Sequence, residues 1–182
     1  MAVGLSLGLI ELGSIAAGFL VTDTMLKAAP VELVLARTIC SGKYMVLVKG
    51  DVASVEAAVR AGSAVAETID TFVIPNVHEA VPPAIAGLTK VDVLDALGIV
   101  ESFSVASLLE GADAMVKTAN VRLVEVRLAM ALGGKAFASC TGSVADVTSA
   151  VEAGAQAVAR KGMLVNRIVI PRPRPELLGD MI

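Results

Sequence analysis

A single thiol stands out in the stretch Arg-Thr-Ile-Cys-Ser-Gly-Lys, which runs from Arg37 to Lys43. Short, β-branched-rich runs precede and follow it, and the Ser-Gly-Lys segment between them predicts a turn that connects two strands. Cysteine usually packs inside an element as a small hydrophobe, so Cys40 is unusually placed in a turn. We hypothesise that assembly brings copies of this turn together at an axis. The alternative is a partly buried thiol without a chemical role.

Other candidate ligands are few. The chain has one histidine, His78, and no Cys-x-x-Cys motif, so a metal site would have to be shared between chains. Cys40 and Cys140 do not make a disulfide framework in a reducing compartment. Cys140 follows Ser139 on a predicted strand, and both Cys140 and His78 are expected to be structural.

The sequence contains none of the usual catalytic sets. It has no Ser-His-Asp arrangement, no nucleotide-binding glycine loop and no paired carboxylates. Glu11 and Glu101 are expected to have partners inside the fold. We therefore predict that the chain is not an enzyme.

Composition excludes further classes of protein. Of the 182 residues, 55% are hydrophobic and only 3% are aromatic, which favours a core of small aliphatic side chains. The net charge is −3 and the basic residues are dispersed, so nucleic-acid binding is not indicated. Asp23 and Glu11 interrupt the apolar stretches that could otherwise span a membrane or act as a secretory signal. We expect a cytosolic protein whose surplus hydrophobic surface is buried between subunits.

The chain contains an internal repeat. Gly-Leu-Ile-Glu at 8–11 recurs as Gly-Ile-Val-Glu at 98–101, and the same register then holds as far as Arg37 and Arg127. The second copy is two residues longer in the turn that follows, because Gly42-Lys43 corresponds to Gly134-Lys135. The repeat predicts two domains, 1–88 and 89–182, with residues 84–90 as the link between them.

Each copy predicts the order β-α-β-β-α-β. In the first copy a strand over 5–12 leads to a helix that is capped by Ser14 and ends before Pro30. The apolar stripe of this helix is predicted to contain Ile15, Phe19 and Leu26.

Two strands flank the Cys40 turn, Asp51 caps a second helix, and a strand over 71–74 ends at Pro75. We predict an α+β fold in which each domain is a four-stranded antiparallel sheet with helices on one face.

Several motifs resemble those of the bacterial microcompartment shell domain. They are the Gly-x-x-Glu strand, the Asp-x-Met-x-Lys helix end at 23–27 and 113–117, the Gly-Lys after the turn, and Val-Ile-Pro-Arg-Pro at 169–173. Two such domains in tandem resemble the tandem-domain class, which forms a trimer that mimics a hexamer. The Thr-Ile-Cys-x-Gly-Lys turn is similar to that of the iron–sulfur-containing propanediol-utilisation type, although Ser41 stands where that type is expected to have proline.

The resemblance implies a cofactor on the three-fold axis. Cys40 from each of three subunits would bind one [4Fe–4S] cluster per trimer, with the fourth iron left to water, a small molecule or a partner. Backbone N–H groups near Ser41 and Gly42 would donate to the cluster sulfurs, and Lys43 would offset its negative charge. The residues implied around the cluster are Thr38, Ile39, Ser41, Gly42 and Lys43. The second copy has no thiol in its turn over 129–133 and is expected only to frame the axis.

The resemblance also implies where shell tiles meet. Lys27 and Lys117 match the lysine at the tile edge, and Arg172 matches the arginine that extends across that edge; Asn76 replaces this arginine in the first copy. The alternative for each of these residues is a solvated surface charge. The implied partners are two further copies of this chain, other shell proteins and a redox-partner enzyme, with neither nucleic acid nor membrane among them.

Three functions remain open from the sequence. The leading hypothesis is a structural shell tile that moves electrons across a protein wall around enzymes that handle a reactive aldehyde. The second is a shell tile without a cluster, whose central pore conducts metabolites. The third is a small-molecule-sensing regulatory module, since a βαββαβ unit does not by itself determine function.

Overall fold

The structure is a computed structural model that describes residues 4–87, 89, 91, 94–129, 133–174 and 176–177, with Ser41 described by its backbone alone. The chain divides into two compact units, one ending at Val77 and the other beginning at His78. Each unit contains a four-stranded antiparallel sheet with two long helices, so the predicted α+β class and the tandem βαββαβ organisation are confirmed.

The elements follow the predicted order in both units. In the first unit they are β1 (Ser6–Leu12), α1 (Ile15–Ala28), β2 (Glu32–Ile39), β3 (Lys43–Gly50), α2 (Val52–Val65) and β4 (Thr68–Ile74). The second unit starts with a short helix, α3 (Val81–Ile85), and continues with β5 (Ala96–Ser102), α4 (Val105–Thr118), β6 (Arg122–Leu128), β7 (Ala136–Gly142), α5 (Val144–Ala159) and β8 (Leu164–Pro171). Within the described residues, no helix combines the length and apolar character needed to cross a membrane.

Short polar side chains begin the four long helices. The predicted caps Ser14 and Asp51 each accept a hydrogen bond from the backbone N–H three residues further on. Ser104 and Ser143 do the same at the starts of α4 and α5. Each cap satisfies one of the N–H groups that lack a partner in the first turn of a helix. The bonds from Ser54 also hold the pKa of Asp51 below its ordinary value.

The first strand of each repeat lies at the centre of its sheet. The strand orders are β2-β3-β1-β4 and β6-β7-β5-β8. Leu12 at the end of β1 pairs with Tyr44 near the start of β3, so the end of β1 and the Cys40 turn lie at the same end of the sheet. The pairing of the central strand with its outer neighbour shifts after Glu11 and, equivalently, after Glu101.

Two recurring glycines allow the helices to lie directly on the central strands. A Cβ on Gly8 would lie 2.6 Å from Val55 in α2, and a Cβ on Gly98 would lie 2.5 Å from Val151 in α5. Neither distance is compatible with a side chain, so the first residue of the Gly-x-x-Glu motif is required for close packing of helix on sheet.

The predicted apolar stripe of α1 is wrong. Ile15, Phe19 and Leu26 are 41%, 65% and 40% exposed. The face that is buried instead carries Gly18, Val21 and Met25. Apolar residues occur on all sides of α1, and periodicity alone therefore does not select the face that packs on the sheet.

Helix α3 overlaps the start of the segment 84–90 that is predicted as the link. The structure has a helical turn at Val81–Ile85 with Pro82 in its first turn, where a proline does not remove a needed N–H. The backbone N–H of His78 donates to Asp113 Oδ1 at 2.7 Å, which holds the residues just before α3 against α4. The two compact units divide between Val77 and His78, and the domain boundary between 1–88 and 89–182 stays a prediction. Residues 88 and 90 of the predicted link lie outside the described residues.

Candidate functional site

The Cys40 turn lies at the tip of the β2–β3 hairpin. A 3₁₀ turn covers Cys40–Gly42, between Ile39 at the end of β2 and Lys43 at the start of β3. The backbones of Ile39 and Lys43 pair with each other and close the hairpin. Gly42 has φ +72° and open space around it, so glycine is needed there for its left-handed backbone and not for lack of room. The predicted glycine-containing turn is present.

The two cysteines of the chain have different environments. Cys40 is half-buried in the turn, with Thr38 exposed and Ile39 buried before it. Cys140 is fully buried in β7, and this burial raises the pKa of its thiol to about 12. A buried thiol with a raised pKa stays protonated and chemically inert. Cys40 is therefore the thiol that can act as a ligand.

Lys43 forms an ion pair within its own sheet. Its Nζ lies 2.7 Å from Oε1 of Glu11 in β1, and the carboxylate side chain is 16% exposed. The second repeat contains the same pair, with Lys135 Nζ 2.5 Å from Oε1 of Glu101. Glu11 and Glu101 thus have partners inside the fold, as expected from the sequence. The charge of Lys43, which was expected to offset that of a cluster, is already balanced by Glu11.

One chain offers no complete metal site among the residues that the structure describes. No group of three or more His, Cys, Asp or Glu side chains lies close enough together to hold a metal ion. A single half-buried thiol at the tip of a hairpin fits a site to which several chains each contribute one thiolate. Thiolate is also the ligand that iron–sulfur clusters use. The donor chemistry of the turn therefore fits the implied cluster.

The two lysines predicted to lie at the tile edge form equivalent ion pairs with unequal exposure. Lys27 lies 2.6 Å from Asp23, and the two side chains are 74% and 57% exposed. Lys117 lies 2.6 Å from Asp113, with exposures of 43% and 13%. Asp113 is the more buried because it also accepts the N–H of His78. The spacing of four residues on a helix could have predicted both pairs.

The residues that follow the closing prolines have the same unusual backbone. Asn76 has φ +53° and Arg172 has φ +48°, and both are exposed. The N–H of Arg172 donates to the carbonyl of Asp95 at 2.9 Å. Left-handed backbone is uncommon outside glycine, and its recurrence at both repeats shows that the chain turns in the same way at the two sites. The three residues predicted at the tile edge, Lys27, Lys117 and Arg172, are all at the surface of their units.

Equivalent apolar positions of the two repeats differ in burial. Phe19 is 65% exposed in α1, whereas Leu109 at the matching place in α4 is fully buried. On the sheet faces turned away from the helices, the first unit has the more buried position and the second unit the more exposed one. Leu9 is 1% exposed in the first sheet, whereas the matching Ile99 is half-buried. The first unit thus has an exposed apolar helix face, and the second has a partly exposed apolar sheet face that includes Ile168 at 40%.

Comparison with known proteins places this architecture in a family. Residues 6–77 and 96–173 each match the BMC domain. The chain therefore belongs to the BMC domain family and carries two copies of the domain.

The chain resembles proteins of known name over nearly its whole length. It is 43% identical over 179 residues to the bacterial microcompartment shell protein PduT of Citrobacter freundii, with 97% of each protein covered. It is 32% identical over 190 residues to the carboxysome assembly protein CcmO of Synechococcus elongatus, covering 97% of this chain and 68% of that protein. A crystal structure of a microcompartment protein from Desulfitobacterium hafniense is 47% identical and superposes with a TM-score of 0.94, over 97% of this chain and 99% of that one.

Family membership decides several of the predictions. The chain is a structural microcompartment shell protein with tandem domains, and the prediction that it is not an enzyme is confirmed by its family. The predicted place in a bacterial microcompartment shell is likewise confirmed. The shell role also removes the sensing module from the candidate functions.

Proposed function

We propose that three copies of this chain form a closed ring, a pseudohexamer, in which the three Cys40 turns meet at the axis and bind one [4Fe–4S] cluster. The ring is a tile of the shell, and the cluster gives that tile a route for electrons between the two sides of the wall. The single observation that carries this proposal is the half-buried thiol at the tip of the β2–β3 hairpin, in a shell protein whose other repeat has no cysteine in its turn.

The ring is supported by the unequal burial of the two repeats. The exposed face of α1 carries Ile15, Phe19 and Leu20, which are 41%, 65% and 53% exposed. Such an apolar face is typical of a surface that a partner covers. The half-buried sheet face of the second unit, with Ile99 and Ile168, is a surface of complementary chemistry on the same chain. Copies joined head to tail through these two different surfaces generate a ring when the rotation closes.

The cluster is supported by the number and type of ligands that such a ring supplies. One Cys40 per chain provides three thiolates, which suffice for three of the four irons of a [4Fe–4S] cube. The fourth iron is left to water, a small molecule or a redox-partner protein. When bound, the cluster supplies one-electron transfer, and its potential depends on the charges and N–H donors that the protein places around it.

The chain's own residues give the turn its shape. Gly42 permits the left-handed backbone that reverses the chain, and Ile39, directly before the turn, is 7% exposed. Lys43 starts the returning strand and is held by Glu11. Thr38, Ile39, Ser41, Gly42 and Lys43 are thereby the neighbours of the proposed ligand. Cys140 takes no part, because it is buried in a different unit.

The edges of the ring are proposed to contact other shell proteins. Lys27, Lys117 and Arg172 are the residues assigned to these contacts, and all three are at the surface of their units. The 74% exposure of Lys27 leaves most of its side chain available to a neighbouring tile. The positive charges make acidic groups or backbone carbonyls the natural counterparts across the edge.

The test compares wild type with Cys40→Ser and with Cys140→Ser, the matched control. Each protein is purified without oxygen, and the mass of the assembly in solution is compared with the 18.5 kDa of one chain to give the number of subunits. Iron content, acid-labile sulfide content and the EPR spectrum are then recorded. We expect a trimer with about four irons in wild type and in Cys140→Ser, and no iron in Cys40→Ser. Iron in Cys40→Ser, or none in wild type after reconstitution, would overturn the cluster and leave a metabolite-conducting pore as the function of the tile.

A further inference from the structure

We infer that Glu11 is a positioning residue for the Cys40 turn, acting through its ion pair with Lys43. For its effect on a cluster the inference rests on the proposed function. The contact itself lies within one chain and acts on Cys40 whether or not iron is bound.

Lys43 is the first residue after the turn, and its backbone closes the hairpin against Ile39. The Nζ of Lys43 reaches across to Oε1 of Glu11 at 2.7 Å. Glu11 belongs to β1, the strand that lies between β3 and β4, where its backbone is paired with Met45 and with Asp70. The ion pair thus links the end of the turn to a neighbouring strand that is itself paired on both sides.

Two other residues of the turn, Ile39 and Gly42, offer no comparable side-chain restraint. Ile39, at the position that caps the 3₁₀ turn, contributes no side-chain hydrogen bond. Gly42 at its other end has no side chain, and nothing lies within 4 Å of the place where a Cβ would be. Glycine also gives the unrestrained chain more backbone freedom than any other residue. A contact at Lys43 is therefore well placed to limit the movement of the turn.

The pair matters for a ligand because three turns must bring their thiolates to one point. Ligand geometry is held by the groups behind the ligand, and a loosened support lowers affinity even when the ligand itself is intact. The carboxylate of Glu11 is 16% exposed, so solvent screens the pair less than it screens a pair at the open surface.

The second repeat provides a matched control. Glu101 in β5 and Lys135, directly before β7, form the same contact at 2.5 Å beside a turn that has no cysteine. A Glu101→Gln substitution makes the same chemical change as Glu11→Gln and removes a similar amount of structural stabilisation. Only Glu11→Gln acts on the turn that carries the thiol.

The first measurement uses the iron-free trimer. The rate at which iodoacetamide alkylates Cys40 is followed by mass spectrometry, with the buried Cys140 as the internal reference. We expect Glu11→Gln and Lys43→Met each to raise the rate roughly two- to fivefold, the range of an ion pair worth up to about 1 kcal/mol. Lys43→Met removes the pair without leaving an unpaired lysine near the thiol. The charge-reversed double variant Glu11→Lys with Lys43→Glu is expected to restore the wild-type rate, and Glu101→Gln to leave it unchanged.

The second measurement is the rate of iron loss from the reconstituted trimer to a chelator, which Glu11→Gln should accelerate and Glu101→Gln should not. Equal alkylation rates in Glu11→Gln, Glu101→Gln and wild type would overturn the positioning role, as would equal acceleration in both Gln variants. Failure of wild type to take up iron would overturn the cluster, while the alkylation rates would still decide the role of Glu11. If Glu11→Gln does not fold, Lys43→Met breaks the same pair from its other end.

Discussion

Truncation of Phe19 tests the head-to-tail ring directly. The side chain is 65% exposed in the isolated chain. A phenylalanine has about 200 Å² of surface, so about 130 Å² is available for burial against a second copy. At ~25 cal/mol per Å² this area corresponds to about 3 kcal/mol, of which Phe19→Ala removes about 2 kcal/mol because the Cβ remains.

A closed ring of three copies contains three such contacts, and their combined loss is about 6 kcal/mol. The association constant of the trimer should then fall by about four orders of magnitude. The protein concentration at which the trimer is half dissociated should rise about a hundredfold, since that concentration scales with the square root of the constant. Sedimentation velocity over a series of protein concentrations measures this shift.

Phe103→Ala is the matched control, because Phe103 is similarly exposed, at 61%, but precedes α4 and does not lie on α1. Phe19 also packs on Tyr44 within its own unit, with ring centroids 5.3 Å apart, so a circular dichroism melt must first show that the variant is folded. A folded Phe19→Ala protein that dissociates at the wild-type concentration would refute the assignment of α1 to the ring contact.

Three further predictions concern stability. Gly8→Ala should destabilise the chain by about 1–3 kcal/mol in urea unfolding because a Cβ would lie 2.6 Å from a valine of α2, whereas Gly13→Ala, with its nearest contact at 3.8 Å, should be nearly neutral. Asp113→Ala should lower the free energy of unfolding by about 1–2 kcal/mol, because the backbone N–H of His78 loses its acceptor. Asp23→Ala loses only a surface ion pair and should lower it by about 0.5 kcal/mol or less. Equal losses in the two variants would contradict the assigned role of Asp113. Hydrogen bonds from Ser54 hold the pKa of Asp51 in the folded protein below its ordinary value of 3.8. The stability that Asp51 contributes is therefore complete above pH 3.8 and is lost as the pH falls through the lower pKa of the folded state. Asp51→Asn should remove this loss from acid unfolding curves.

The secondary structure was predictable because its signals are local. Ser14 and Asp51 cap the helices that they were expected to cap, since capping needs only a polar side chain and the N–H groups that follow it. The Ser-Gly-Lys turn was predictable because Gly42 adopts a backbone that few other residues accept. The short helix α3 was missed, because proline usually ends a helix and is tolerated only in the first turn, where Pro82 lies.

The partners of the charged residues were less predictable. The sequence places Lys43 three residues after Cys40, which suggested a role towards a cluster, and the sheet register brings its ammonium to Glu11. The two residues are far apart in the chain, and only the pairing of β1 with β3 makes them neighbours. The position of Asp113 has the same explanation, since its second hydrogen bond comes from a residue outside its helix.

The sequence alone determined the two-fold repeat, the order of the strands and helices, and the turn that presents Cys40, because each follows from residue type and spacing along the chain. Only the tertiary structure decided which face of α1 is buried and which remains exposed. Ile15, Phe19 and Leu26 are as apolar as the residues that pack on the sheet, and hydrophobicity cannot separate two apolar faces of one helix. Shape separates them, since Gly18 lets α1 approach Tyr44 so closely that a Cβ would lie 2.2 Å from its ring, and the bulkier face is left outside.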